Sequence, residues 1–182
     1  MYGLVNEAIR TMVTSLFDER AWEKVSASVG APSRFQPLES YDDSITYDLV
    51  GAVAELSGLP PEKVLHEFGR YWISDVAARH YAGMLEAAGN RFETMCGNLD
   101  HLHEQLRHSF RGYRPPSFRF VKLPDGDFQM DYYSDREGLL PFVEGLLTGL
   151  AEHCGQRLEI TRVADEDNPV PSKRLTIRLL EE

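Results

Sequence analysis

Three of the histidines and one short run of polar side chains are the residues of this chain that could do chemistry. Residues 98–110, Asn-Leu-Asp-His-Leu-His-Glu-Gln-Leu-Arg-His-Ser-Phe, read as part of a helix that begins near Phe92. At 3.6 residues per turn, Phe92, Met95, Cys96, Leu99, Leu102, Leu106 and Phe110 share one apolar stripe. His103 lies inside that stripe, while His101 and His108 fall on the opposite face. A neutral imidazole aimed at whatever the helix buries is a potential metal ligand. The ordinary alternative is a hydrogen-bonded core histidine, which is the commoner fate of a lone histidine on an apolar face.

The polar run is Tyr132, Ser134 and Arg136, which alternation along a strand from Phe128 to Arg136 puts on one face. A phenol, a hydroxyl and a guanidinium in a row suit a carboxylate or a phosphate. Phe128 and Met130 share the same face, so it is apolar at one end and anion-seeking at the other. The alternative is the solvent side of a half-exposed strand. Taken with His103, the row suggests an apolar disc that carries a metal and two carboxylates. That description fits haem with one axial imidazole.

The elements that must position these groups follow from periodicity. Residues 2–17 form an amphipathic helix, and 22–29 a shorter one that stops at Gly30-Ala31-Pro32. Residues 34–43 read as a loop. Ser44 is expected to cap a third helix, with Tyr47, Val50, Val53 and Ala54 inward and Gly58 at its end. Pro60-Pro61-Glu62 starts a helix that buries Val64, Leu65, Phe68 and Trp72. A separate helix from about Ser74 buries Val76, Tyr81 and Leu85 and stops at Gly89. The histidine helix gives out at Gly112, before Arg114-Pro115-Pro116. Then come a hairpin (117–123 and 128–136, turning at Pro124-Asp125-Gly126-Asp127), a helix over 138–153, and strands over 158–163 and 174–180 joined by a polar loop, 165–172. The expected class is α+β. A helical lobe (1–113) packs on a ββαββ lobe (114–182) with a four-stranded antiparallel sheet, in one domain spanning 1–182.

Composition narrows the function. The chain has 182 residues and a formal net charge of -10, which argues against nucleic-acid binding despite a local cluster of Arg107, Arg111, Arg114, Arg119 and Lys122. The cysteines, Cys96 and Cys154, form no Cys-x-x-Cys pair and read as buried, unreactive thiols in a reducing setting. A surface zinc site at His101, Glu104 and His108 lacks a fourth ligand. No signal peptide opens the chain and no apolar run approaches the ~20 residues of a membrane helix. A cytoplasmic protein without membrane contact is expected.

Several stretches then match one family in order. They are Met1-Tyr2-Gly3-Leu4-Val5-Asn6, Tyr41-Asp42-Asp43-Ser44 with Thr46-Tyr47-Asp48-Leu49-Val50, Asn98-Leu99-Asp100 with Leu102-His103, Arg114-Pro115-Pro116-Ser117-Phe118, and Tyr132 through Leu139. On these the chain resembles an H-NOX domain, the haem-binding nitric oxide/oxygen sensor module of soluble guanylate cyclases and of stand-alone bacterial proteins. The resemblance implies haem b lying between the two lobes, with His103 as the iron ligand and Tyr132, Ser134 and Arg136 on the propionates. It also implies that Pro116 presses on the porphyrin, and that Val5, Trp72, Phe142 and Leu146 line the distal pocket or flank the ring.

Ligand choice follows from the distal side. Bound O₂ gains charge and needs a hydrogen-bond donor, whereas NO needs little such help. Oxygen-binding members of the family use a distal tyrosine where this chain has Phe142. The expectation is therefore NO and CO binding with O₂ excluded, and signalling when NO releases His103. The indole N–H of Trp72 is the one competing donor, against a simple packing role. No Gly-rich phosphate loop or nucleophile elbow is present, so the reading is a non-enzymatic sensor. The family's bacterial partners are typically a histidine kinase or a diguanylate cyclase. An O₂-binding or NO-scavenging haem protein is the first alternative and a haem-free interaction domain the second.

Overall fold

The computed structural model describes residues 1–109, 114–163 and 172–180. Helices α1 (Gly3–Leu16), α2 (Glu19–Ser28), α3 (Asp43–Ser57) and α4 (Pro61–Tyr71) come first. A π-helical segment (Trp72–Ala77), α5 (Ala78–His80), α6 (Ala82–Ala88) and α7 (Phe92–Ser109) complete the helical lobe. Strands β1 (Ser117–Lys122) and β2 (Phe128–Tyr133), helix α8 (Leu140–His153), and strands β3 (Arg157–Val163) and β4 (Ser172–Leu180) form the second lobe. The sheet is antiparallel throughout in the order β1-β2-β4-β3, so the fold is α+β with the ββαββ arrangement expected.

Local chemistry moves several predicted boundaries. The Asp18 carboxylate accepts from the Ala21 N–H at 2.7 Å, so α2 starts at Glu19 rather than at Trp22. Asp42, not Ser44, caps α3: its Oδ1 accepts from the Ser44 N–H at 2.8 Å. Tyr47, expected to point inward, is exposed and donates its hydroxyl to the Glu137 carbonyl at 2.9 Å, while Thr46 and Leu49 are buried. The break expected before Ser74 is absent. The chain runs straight from α4 into the π-helical segment, and the interruption comes at Tyr81, between α5 and α6. Single π turns often mark functional positions because they rotate the side chains that follow.

Phe110, Arg111, the helix stop at Gly112 and residues 165–171 lie outside the described residues, as do the side chains of Leu106 and His108. No helix among the described residues is long and apolar enough to cross a membrane.

Two apolar cores result. One is built from α1 to α4 around Ile9, Trp22, Leu49 and Phe68. The other joins the inner sheet face to α7 and α8 through Phe92, Met95, Met130, Leu147, Leu175 and Ile177. Cross-strand neighbours such as Met130 and Leu175, or Phe128 and Ile177, set the sheet register on that face. The lobes are fastened where α4 crosses α8. At Gly145 a β-carbon would collide with the His66 carbonyl oxygen, and at Gly69 with that of Phe142, so the backbones can approach only because both positions are glycine.

Candidate functional site

Between the two cores lies a cavity of about 620 Å³, bordered by all nine residues singled out in the sequence: Val5, Trp72, His103, Pro116, Tyr132, Ser134, Arg136, Phe142 and Leu146. Interiors pack to crystal density and retain few voids larger than a water. A largely apolar space of this size is in the range of small-molecule sites, about 300–1,000 Å³.

One wall is polar at its edge and carries the imidazole. α7 presents His103 to the cavity, where its ring lies 5.4 Å from that of Phe118, which in turn stacks on Tyr132 at 5.5 Å. The His103 Nδ1 lies 3.0 Å from the Leu99 carbonyl oxygen. A carbonyl only accepts, so Nδ1 carries the proton and Nε2 keeps its lone pair. Burial also pulls the His103 pKa below its ordinary value, against the opposing pull of the Leu99 bond and of Asp100. The ring is therefore a neutral donor whose Nε2 meets no hydrogen-bond partner among the described residues. His101 is exposed and pairs with Gln105 at 2.9 Å, as its place opposite the stripe predicts.

Asp100, one turn before His103, fixes this helix to the sheet. Its Oδ1 accepts from the Phe118 N–H at 2.9 Å and from the Ser117 hydroxyl at 2.8 Å. Those bonds, the Phe118 N–H first, hold its carboxyl below the ordinary value.

The polar row is reached differently from the strand alternation expected. β2 ends at Tyr133, so Ser134 and Arg136 lie in the bend beyond it. The Arg136 N–H donates to Ser134 Oγ at 3.1 Å, a local turn that curls both side chains back toward the cavity beside Tyr132. Tyr132 is buried, which pushes its phenol up, while the Ser134 hydroxyl pulls it back. The Arg136 guanidinium donates to Asp43 Oδ2 at 2.7 Å and to the Arg114 carbonyl at 3.0 Å, and the Met1 ammonium binds the other Asp43 oxygen. Burial opposes ionisation of Asp43, but the two cations outweigh it and keep its pKa low. The cavity mouth thus gathers the Arg136 guanidinium and the Met1 ammonium around Asp43, with Arg114 and Asp42 also in its lining, and a guanidinium so placed can take a further carboxylate.

The facing wall is aromatic and aliphatic. Phe68, Trp72 and Phe142 meet in a three-ring cluster, with centroids 5.0 Å apart for Phe68 and Phe142 and 6.1 and 6.3 Å from Trp72. Trp72 lies edge-on to both partners, a packed arrangement, and its indole N–H meets no acceptor among the described residues.

The donor set fits haem: one neutral imidazole with a bare Nε2, an apolar interior, and a phenol, hydroxyl and guanidinium at one edge. The roles of Asp43, Asp100 and Phe118 escaped the sequence reading. All three sit in the family-like stretches, yet their partners are far along the chain.

Comparison with known proteins agrees with this chemistry. A family model described as Haem-NO-binding matches residues 2–162. Soluble guanylate cyclase gcy-35 of Caenorhabditis elegans is 30% identical over 157 residues, which is 83% of this chain and 22% of that protein. Soluble guanylate cyclase gcy-31 of the same organism is 24% identical over 180 residues, 98% of this chain and 26% of that protein. The chain spans about a quarter of the length of these relatives. Among solved structures, an H-NOX protein from S. oneidensis in the Fe(II)NO ligation state shares the fold with a TM-score of 0.86 at 23% identity, covering 100% of both chains.

Proposed function

Because the chain belongs to the Haem-NO-binding (H-NOX) family, we propose that it is a haem-based gas sensor, with haem b held by His103 and NO and CO as its ligands. The observation that carries this reading is the bare Nε2 of His103 at the edge of a cavity whose mouth holds Tyr132, Ser134 and Arg136. Haem, when bound, supplies one iron with an open position for a diatomic gas.

The protein side chains do the rest. Leu99 fixes the tautomer and orientation of His103, as second partners of metal-bound imidazoles do. Arg136, Tyr132 and Ser134 take the propionates, with Arg136 sharing its charge between a propionate and Asp43. Pro116 borders the ring, and Val5, Trp72, Phe142 and Leu146 form the gas side. Phenylalanine, valine and leucine donate no hydrogen bond, so of these four residues Trp72 alone carries a side-chain donor that could stabilise O₂ over NO or CO. Release of His103 would be the signal. Leu99 lies on α7 itself, so freeing Nε2 would leave the Phe118 ring contact and the Asp100 bonds to Ser117 and Phe118 as ties from this part of α7 to β1, which a shift of α7 would have to strain or break. A change in state of this kind is read by a partner such as a histidine kinase or a diguanylate cyclase, with this domain acting as sensor rather than catalyst.

The unpartnered indole N–H of Trp72 favours a second reading, an O₂-binding or NO-scavenging haem protein. Spectra of the ferrous, haem-loaded protein under NO, CO and air separate the two. NO and CO complexes with no oxy spectrum are expected. A stable oxy complex sinks the NO-selective reading, and failure to take up haem sinks both.

A further inference from the structure

The start of α3 carries three side chains, Asp43, Thr46 and Tyr47, that all bond outside their own helix. Asp43 takes the Arg136 guanidinium at 2.7 Å and Tyr47 donates to the Glu137 carbonyl at 2.9 Å, so two bonds tie this turn to the bend after β2. Between them, Thr46 donates its hydroxyl to Asn6 Oδ1 of α1 at 2.7 Å. Thr11, Thr14, Ser26, Ser57 and Thr148 instead return their hydroxyls to a carbonyl of their own helix, the ordinary arrangement for a helical hydroxyl.

Thr46 and Asn6 are both buried, and Thr46 borders the cavity. The Asn6 Nδ2 meets no partner among the described residues. A buried amide with an unused donor is costly, and the core that α1 and α3 share is built from residues such as Ile9, Leu49 and Val50, beside which an apolar pair would avoid that cost. What the polar pair supplies is direction. A buried hydrogen bond specifies one rotation and one register of α1 on α3, which apolar contacts define less sharply.

Asn6 follows Val5, which lines the cavity. A continuous path therefore runs from Arg136 through Asp43 and Thr46, about 4.5 Å apart along α3, to Asn6 and Val5. A second tie, the Met1 ammonium on Asp43, joins the start of α1 to the same turn. On the haem reading above, we propose that Thr46 and Asn6 are positioning residues, whose bond lets the propionate edge of the site set where α1 and Val5 stand over the gas-binding position. Movement of the bend at Arg136 and Glu137 shifts the first turn of α3, and the Thr46–Asn6 bond carries that shift to α1. Neither residue is among those proposed to hold haem.

The test uses the haem-loaded full chain as its ferrous CO complex, read by the C–O infrared stretch and by the CO dissociation rate. Thr46→Val, which removes the hydroxyl and keeps the branched shape, should move the C–O band and change the dissociation rate about twofold or more. Thr46→Ser, which restores a hydroxyl, should bring both back toward the parent values. Tyr47→Phe, at an exposed position, breaks one tie to the bend and should also move the band, by less when Thr46→Val is already present. A lower Tm for Thr46→Val with the band and rate of the parent would make the pair a structural bond only and overturn the proposal. So would a Tyr47→Phe shift undiminished in the double variant. Should Thr46→Val fail to fold, parent values in Tyr47→Phe would overturn it as well. A parent chain that takes up no haem overturns the sensor reading and this coupling together, whereas a parent that binds haem and CO beside unresponsive variants overturns the coupling alone.

Discussion

The two walls of the cavity are built on different principles. The wall of α7, β1 and the bend after β2 is held by directed bonds: His103 to Leu99, Asp100 to Phe118 and Ser117, Arg136 to Asp43 and Arg114. The wall of α4, the π-helical segment and α8 is held by ring contacts among Phe68, Trp72 and Phe142 and by the glycine crossing at Gly69 and Gly145. Directed bonds specify an orientation and can be broken one at a time, which suits an anchor that must also let go. Close packing has no single bond to break and offers shape with few donors, the Trp72 indole among them, which suits a wall that discriminates by withholding.

The largest effect should come from deleting the anchor. His103→Gly should lose haem on purification, by more than the ~10–100-fold typical of losing a ligand's supporting partner, with added imidazole restoring the Soret band. Retention of haem without imidazole would show that the polar wall does not hold the iron. Next comes a donor added to the wall that has few. Phe142→Tyr should create an oxy complex, since a hydrogen bond to a charged group contributes about 1.5–3 kcal/mol, roughly 10- to 100-fold in O₂ affinity. If Trp72→Phe instead removes an oxy complex already present in the parent, the gas-side wall is not the donor-poor surface described.

A third substitution strikes the packing itself. Gly145→Ala would force α8 from α4 at the His66 carbonyl, at a cost of about 1–3 kcal/mol, seen as a Tm drop of roughly 2–12 °C. An unchanged Tm would mean that the crossing is looser than its backbone contacts indicate. The smallest effect concerns Asp100. A carboxyl whose folded pKa is depressed contributes stability that is present above its unfolded value, ordinarily 3.8, and lost as pH falls through the lower folded value. Asp100→Asn should therefore flatten the acid limb of the stability curve below about pH 4, with little change near neutrality. An identical acid limb in the variant would remove Asp100 from the ties between α7 and β1.

Much of this was legible in advance, and unevenly. His103 was separated from His101 by helical period alone, and the structure places His103 at the cavity and His101 in solvent. The alternating strands and the α+β class were readable because apolar periods of 2 and 3.6 residues are local properties. Errors fell where a neighbour decided the outcome. Trp72 begins a π-helical segment rather than ending a helix, Tyr47 turns outward to the Glu137 carbonyl, and Ser134 and Arg136 reach the cavity by a turn rather than along a strand.

By itself, then, the sequence determined which side chains could bind a metal and a carboxylate, because residue type and short-range period fix chemistry and facing. Only the tertiary structure decided that they meet. The Arg136–Asp43 pair joins residues far apart in the chain, Asp100 finds its partners on another element, and Met95 and Cys154 touch across two helices. The cavity itself exists because two cores, each satisfied internally, meet through glycines at one edge and stay apart at the other. Such closure depends on the summed packing of the whole chain, which no local window of residues encodes.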